Sequence, residues 1–440
     1  MWGFPLVTLL VGGGLFFLIY SRFLPFRYFK HSIDVLAGKY DDPDDPGDIN
    51  HFQALASHMS STIGMGNISG VAVAIVMGGP GALFWMWMSA IVGMATKFFT
   101  GTLSIMYRGK DSAGEIQGGP MYVIREALSS KWKPLATLFA VAGLIGPLPI
   151  FQANQLTQIL RDSLYIPNGL VDAADPFMGN VLTGLGLVLI VSMVIFGGIK
   201  RIGYVAARMV PAMVVVYVLT VLYILGVHID VVPYYLGLIV TDAFTASSVM
   251  GGAVGSLIVV GVQRAAFSNE AGIGTESLAH GAAKTKEPVR EGLVAMLGPA
   301  IDTLLICTMT ALAILVTGVW QTSEANGVTL TLNAFNEAMP GFGTFALLIS
   351  VITFSVSSML TYSYYGTKCW SYLAGAHRAH WYNYFYIVTL VVGAVVSIST
   401  VVNLIDGTFA LMAIPTMTSA LLLAPKVREA ARDYFSRMNV

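Results

Sequence analysis

Charge is scarce in this sequence. Only 11% of its 440 residues are Asp, Glu, Lys or Arg, while 55% are hydrophobic. An ordinary globular domain carries about 25% charged residues. So little charge cannot cover a water-exposed surface, which excludes a soluble fold and leaves a polytopic membrane protein in a lipid bilayer. The 24 basic and 24 acidic residues cancel, so nothing attracts a nucleic acid or another polyanion. Cysteine is nearly absent: Cys307 and Cys369 both fall in hydrophobic stretches and supply neither a disulfide framework nor metal-ligand spacing. No G-x-x-x-x-G-K-[ST] run and no Ser–His–Asp arrangement appears. ATP is therefore not indicated as a driver, no cofactor is called for, and an enzyme lacks a catalytic constellation.

Long apolar runs dominate instead, and their apolarity is uniform rather than alternating, which argues for helices and against a barrel. A spanning helix needs about 20 such residues. Spans are expected near 3–20, 54–77, 82–106, 135–160, 181–198, 203–227, 252–275, 292–318, 342–368, 382–402 and 405–424. The first, "PLVTLLVGGGLFFLIY", lacks a basic n-region and a small-residue cleavage site, so it reads as a retained span. With the N-terminus outside, inner loops hold Arg22, Arg27, Lys30 and Lys39, then Arg108, Lys110, Arg125, Lys131 and Lys133. Lys200, Arg201, Lys284, Lys286, Arg290, Arg378 and the basic residues of the tail follow on the same side. Outer loops hold Arg161 and no other Lys or Arg. That asymmetry fits N-out, C-in. The acidic, Pro-rich "DDPDDPGD" (41–48) reads as a solvated cytoplasmic turn, with cation attraction as the rival reading.

Two runs interrupt the apolar pattern. "STIGMGNISG" (61–70) places Gly64, Gly66 and Gly70 in the second span. Each glycine lowers helix propensity by about 1 kcal/mol relative to Ala. Two readings compete for this run alone: close helix packing through small residues, and a functional break. "RAAFSNEAGIGT" (264–275) interrupts the seventh span in the same way. Setting the first span aside, ten spans divide into two sets of five, each starting with a broken helix. Because five is odd, the two sets have opposite orientation, and paired interrupted segments at matching positions point to a transporter's central site. This gives four regions: 1–50 with the extra helix and a loop, repeats over 51–227 and 228–425, and a cytoplasmic tail over 426–440. A broken helix exposes N–H groups that suit a carboxylate and C=O groups that suit a cation or ammonium group. Ser61, Thr62 and Asn67 add neutral ligands beside the first break.

A third polar cluster, "TFSVSSMLTYSYYG" (353–366), lies within an apolar span. Single hydroxyls there ordinarily bond their own helix. Ionisable residues at depth are costly, about 2.5–3.5 kcal/mol at the centre, which singles out Lys97, Arg264, Glu270 and Asp302. Lys97 and Asp302 are expected near the cytoplasmic half or a helix start, snorkelling or paired. Arg264 and Glu270 flank the second break, are candidates to pair across it, and are expected to be structural or gating.

Several stretches resemble the bacterial and archaeal alanine or glycine:cation symporter family. They are "GNISGVAVAIVMGGPGALFWMWMSAIVGMATKF" (66–98), "GGPMYVI" (118–124), "FGGIKRI" (196–202), "FSNEAGIGTESLAHGAAKTKEPVREGLVAMLGPAIDTL" (267–304) and "SYYG" (363–366). The resemblance runs from about residue 50 to 425. It implies sodium-coupled uptake of small neutral amino acids such as alanine or glycine. It also implies an all-α, five-plus-five inverted-repeat fold like that of the leucine transporter, with one extra N-terminal helix. Carried onto this chain, it implies substrate contacts at Gly64, Met65, Gly66, Asn67, Gln152, Asn154, Phe267, Ser268, Asn269, Gly272 and Gly274. Na⁺ falls to Ser61, Gly64, Ser357 and Ser358. The family usually reads G-T-G-N where this chain has Gly64-Met65-Gly66-Asn67, and commonly has Glu at the position of Thr100. Both departures bear on substrate and coupling ion. Rival readings are a proton-coupled or facilitative carrier, an ion channel and a membrane-embedded enzyme.

Overall fold

The structure, a computed structural model, describes residues 2–244 and 253–438. Position 252, where the seventh span was expected to start, lies outside the described residues, as do position 1 and the last two positions of the expected tail. The described chain is mostly helical, with a small antiparallel ribbon of Gly109–Lys110 against Ile116–Gln117. Six described helices are long and apolar enough to cross a membrane, and a bent pair adds a seventh. The six are Gly81–Met106, Phe177–Ile195, Gly198–Val227, Pro288–Val316, Gly343–Ala374 and Ile398–Met438. Other expected spans fall on shorter or interrupted helices. The expected span 135–160 divides into Lys133–Ala142 and Ile150–Leu160, because Gly143, Gly146, Pro147 and Pro149 intervene. Trp381–Val395 stops short of the expected end at 402, and the last helix starts at Ile398.

Helix Gly81–Met106 sits at the centre, against Pro288–Ala295, Ala253–Asn269 and Gly13–Tyr20. Small residues let it approach: a Cβ added at Gly101 would stand 2.7 Å from that of Ala295. Hydrocarbon offers no hydrophobic force between helices, so such close backbone contact supplies much of their attraction. Phe177–Ile195 and Gly198–Val227 carry exposed Leu182, Leu189, Met193, Leu219 and Tyr223, the composition of a lipid-facing wall.

Two segments are more tightly held than the sequence suggested. Residues 41–44 are exposed, but the rest of the acidic loop docks on the loop after the second break rather than forming a free turn. Asp48 and Ile49 N–H groups both donate to Ala282 O, and Lys284 N–H donates to Ile49 O at 2.6 Å. Asp45 pairs with Lys286 at 2.8 Å. Burial raises the Asp45 carboxyl, but hydrogen bonds and charge from Lys286 outweigh it and hold it below its ordinary 3.8. Arg108 clamps this junction, donating to the carbonyls of Pro46, Gly281, Ala283 and Thr285. The tail continues the last helix and buries Tyr434 and Phe435, with Tyr434 OH 2.8 Å from His31 Nε2.

Candidate functional site

The first break follows a well-started helix. His51–Thr62 opens with a capping box in which Asn50 and Gln53 exchange side-chain and backbone bonds. It ends at Ile63, whose ψ of 88° leaves the helical region. Gly64 N–H then turns to Asn67 Oδ1 at 3.0 Å instead of continuing the ladder. The chain resumes as Gly66–Gly78, bent by 53° from the first half. Ser60 O, released from the ladder, accepts from Ser357 Oγ at 3.2 Å, while Ser60 Oγ donates to Ser357 O at 2.6 Å. Ser358 Oγ lies directly over Gly64, where an added Cβ would collide with it. It donates to Phe354 O at 3.0 Å. Ser61 Oγ donates to His58 O and lies 3.1 Å from Tyr365 OH, and Thr62 Oγ1 points back to His58 O at 3.3 Å.

The second break is built on unusual backbone. Ala253–Asn269 stops, and Glu270, Gly272 and Gly274 take φ of 56°, 82° and 97° before Glu276–His280 begins. Left-handed backbone suits glycine, and both glycines are also crowded: a Cβ on Gly272 would sit 2.7 Å from Leu10, one on Gly274 2.7 Å from Pro120. Glu270 is not a glycine and is strained there. Its carboxylate is tied down by Thr275 Oγ1 and by Tyr362 OH at 2.6 Å. Asn269 caps the turn, its Oδ1 accepting from Ala271 N–H and its Nδ2 donating to Thr303 Oγ1, both at 2.9 Å.

The two breaks meet. A Cβ on Gly66 would stand 3.4 Å from both Ser268 Cα and the Phe267 ring. Asp302 joins them from the wide-turned stretch Ala300–Cys307. Its Oδ1 accepts from Asn67 Nδ2 at 2.7 Å, and its Oδ2 accepts from Ser268 Oγ at 2.6 Å and Thr303 Oγ1 at 2.9 Å. Three neutral donors thus hold one carboxylate that is 1% exposed. Phe267 packs edge-on against Phe151 at 4.9 Å. Beyond that ring pair lies a cavity of about 370 Å³, bordered by Ser69, Phe151, Gln155, Arg264, Gly327 and Asp406.

The structure therefore gathers Ser61, Gly64, Gly66, Asn67, Phe267, Ser268, Asn269, Ser357 and Ser358 around the breaks. Gly272 and Gly274 belong to the second break but face Leu10, Met417 and Pro120. Met65 is fully buried. Gln152 is buried with its Oε1 unpartnered. Asn154 does not turn to the breaks: its amide donates to Gly393 O and Val396 O and pins the Trp381–Val395 helix. Its neighbour Gln155 instead accepts from Ser69 at 2.7 Å, and sequence reasoning passed over it.

Four ionisable residues also stand corrected or completed. Arg264 and Glu270 do not pair with each other; Arg264 binds Asp406 at 2.9 Å, which Gln263 also reaches at 2.6 Å. Asp302 lies in the first turn of Ala300–Cys307, and there it stands at the junction of the breaks. An acid in "GPAIDTLLIC" with no base within a turn was the available signal. Lys97 does not snorkel: it is fully buried with Nζ on His58 Nε2. Thr100 Oγ1 donates to Glu276 Oε1 at 2.7 Å. From Lys97 a file of titratable groups continues. The His58 and His280 rings lie 5.5 Å apart, His280 and His51 both hold Glu291, and His51 Nε2 lies 3.9 Å from Asp41.

Two interrupted helices meeting inside an apolar bundle define a membrane transporter of the leucine-transporter fold. MhsT, solved in complex with L-phenylalanine, matches with a TM-score of 0.64 at 13% identity, over 86% of this chain and 89% of MhsT. The chain belongs to the sodium:alanine symporter family, whose family model matches residues 1–440. The sodium/alanine symporter AgcS of Methanococcus maripaludis is 37% identical over 429 residues, 96% of this chain and 92% of AgcS. An uncharacterized transporter of Haemophilus influenzae is 36% identical over 451 residues, 100% of this chain and 95% of that protein. The protein is a multi-pass membrane transporter and not an enzyme.

Proposed function

We propose that this chain couples inward Na⁺ movement to uptake of a small neutral amino acid of the alanine or glycine class. The observation that carries the reading is the meeting of two helix breaks at Asp302. The N–H end of Gly66–Gly78 takes the substrate carboxylate. The ammonium group lies toward the buried Asp302 carboxyl, and Phe267 and Phe151 close the side toward the cavity. Na⁺ lies at the carbonyl end of His51–Thr62, with Ser357 and Ser358 as hydroxyl ligands. Eleven spans, N-out and C-in, with inverted repeats over 51–227 and 228–425, supply the frame, and access alternates by rocking part of the bundle. One charge moved through 100 mV releases about 2.3 kcal/mol. At about 1.4 kcal/mol per tenfold, that supports accumulation of several tens-fold.

The file from Lys97 through His58, His280, Glu291 and His51 to Asp41 favours a second reading, in which a proton replaces or accompanies Na⁺. Uptake of radiolabelled alanine into proteoliposomes separates the two. A Na⁺ gradient at equal pH drives accumulation under the first reading. Accumulation that follows a pH gradient, ignores Na⁺ and is lost in His58→Gln overturns it in favour of the second.

A further inference from the structure

A second polar cavity lies away from the breaks, where the first and last helices end together. After helix Phe4–Tyr20 the chain turns through Arg22 and Phe23 at φ of 57° and 58°, left-handed backbone that neither residue favours. Across from this turn stands the end of Ile398–Met438. Between them is a cavity of about 350 Å³ lined by Arg22, Arg27, Arg428 and Arg432. Among the described residues its lining includes no Asp or Glu. Among the described residues none of these four arginines has an ion-pair partner, whereas nearby Arg437 is held by both Glu287 and Asp433. The aromatic walls are ordered: Tyr28 stacks on Phe435 at 3.6 Å, and Arg428 lies 4.4 Å over the Tyr20 ring. Four guanidinium groups gathered without a counter-charge repel one another, so the concavity is suited to an anion that they chelate.

The surroundings select the source of that anion. The cavity borders the end of the apolar helix Phe4–Tyr20, and the end of a membrane helix is where lipid headgroups stand. Phe16, Ile19, Phe23 and Phe26, which flank or interleave with Arg22 and Arg27 in the chain, are exposed. A soluble phosphate has no use for exposed aromatic and aliphatic surface, whereas acyl chains do. We propose that Arg22, Arg27, Arg428 and Arg432 form a site for the phosphodiester headgroup of an anionic phospholipid, which bridges the first and last helices.

The test is native mass spectrometry of the full chain. The protein is extracted from vesicles of equal phosphatidylglycerol and phosphatidylcholine, with and without added inorganic phosphate. The wild type retains phosphatidylglycerol in preference to phosphatidylcholine, and inorganic phosphate does not displace it. The preference falls about fivefold for each Arg→Gln replacement in the set and disappears in the fourfold variant, while Arg201→Gln leaves it unchanged. If the fourfold variant is not recovered monodisperse, R22Q/R27Q and R428Q/R432Q, one from each wall, are read instead. Equal retention of both lipids by the wild type overturns the proposal, as does a preference that survives these replacements. Displacement by inorganic phosphate assigns the cavity to a soluble anion and also overturns it.

Discussion

Gly64→Ala probes the first break more sharply than any substitution of a polar ligand. An alanine Cβ would collide with Ser358 Oγ, while the next atoms, Ser358 Cβ at 3.5 Å and Ser61 O at 3.8 Å, are in ordinary contact. The clash is with one oxygen, and that oxygen donates to Phe354 O. Moving it costs a hydrogen bond, about 0.5–1.5 kcal/mol, and an unfavourable rotamer, about 0.5–1.5 kcal/mol. The sum is about 1–3 kcal/mol. Alanine also leaves the unfolded chain less conformational freedom than glycine, a gain of about 0.4–1 kcal/mol at a backbone without positive φ, which masks part of the loss in a single variant. A cycle with Ser358→Ala removes the mask, because that gain is present in both backgrounds and cancels. The four proteins are compared by reversible unfolding in micelles and by the Na⁺ concentration for half-maximal uptake. The expected coupling energy is about 1–3 kcal/mol: S358A rescues the stability of G64A. The Na⁺ requirement stays raised in the double variant, because the hydroxyl is gone. Stabilities that add to within about 0.5 kcal/mol mean the two residues do not touch, and the reasoning about this break fails.

Three further outcomes are expected. Replacing Ser357 and Ser358 together by Ala raises the Na⁺ concentration for half-maximal uptake without unfolding the protein; an unchanged Na⁺ curve removes both from the cation site. Met65→Thr, which restores the family's usual residue, shifts preference among alanine, glycine and serine in competition assays; an identical profile shows that Met65 packs elsewhere. Asp45→Asn loosens the docked acidic loop and speeds hydrogen exchange over 281–286 at neutral pH. Because the Asp45 carboxyl is held below 3.8, its contribution is present above that value and is lost as pH falls through the lowered one. The difference between wild type and D45N therefore shrinks from about pH 4 downward, and a difference that persists in acid refutes the pairing.

The breaks were legible because glycine and asparagine are wrong for lipid-exposed helix, and both runs do interrupt helices. Their meeting was inferred from repeat logic, but the residue that joins them was not. Asp302 lies 235 positions from Asn67 in the chain. Its cost in an apolar run was visible, whereas two of its three donors, Asn67 and Ser268, come from separate segments that only folding unites. Arg264 shows the same limit: local sequence offered Glu270, and the fold supplied Asp406 across 142 positions. Asn154 shows another limit, since neighbouring polar positions on one helix face different ways: Asn154 bonds the Trp381–Val395 helix side while Gln155 bonds Ser69. The loop at 41–48 carried the composition of a solvated turn in its first half, while the docked half depended on a partner more than 230 positions away.

Determination of the structure with alanine and Na⁺ bound is the most direct test. The amino acid is expected between residues 64–67 and 267–269, with the ion against Ser357 and Ser358. An amino acid located away from both breaks, or helices that run unbroken through 61–70 and 264–275, would contradict it.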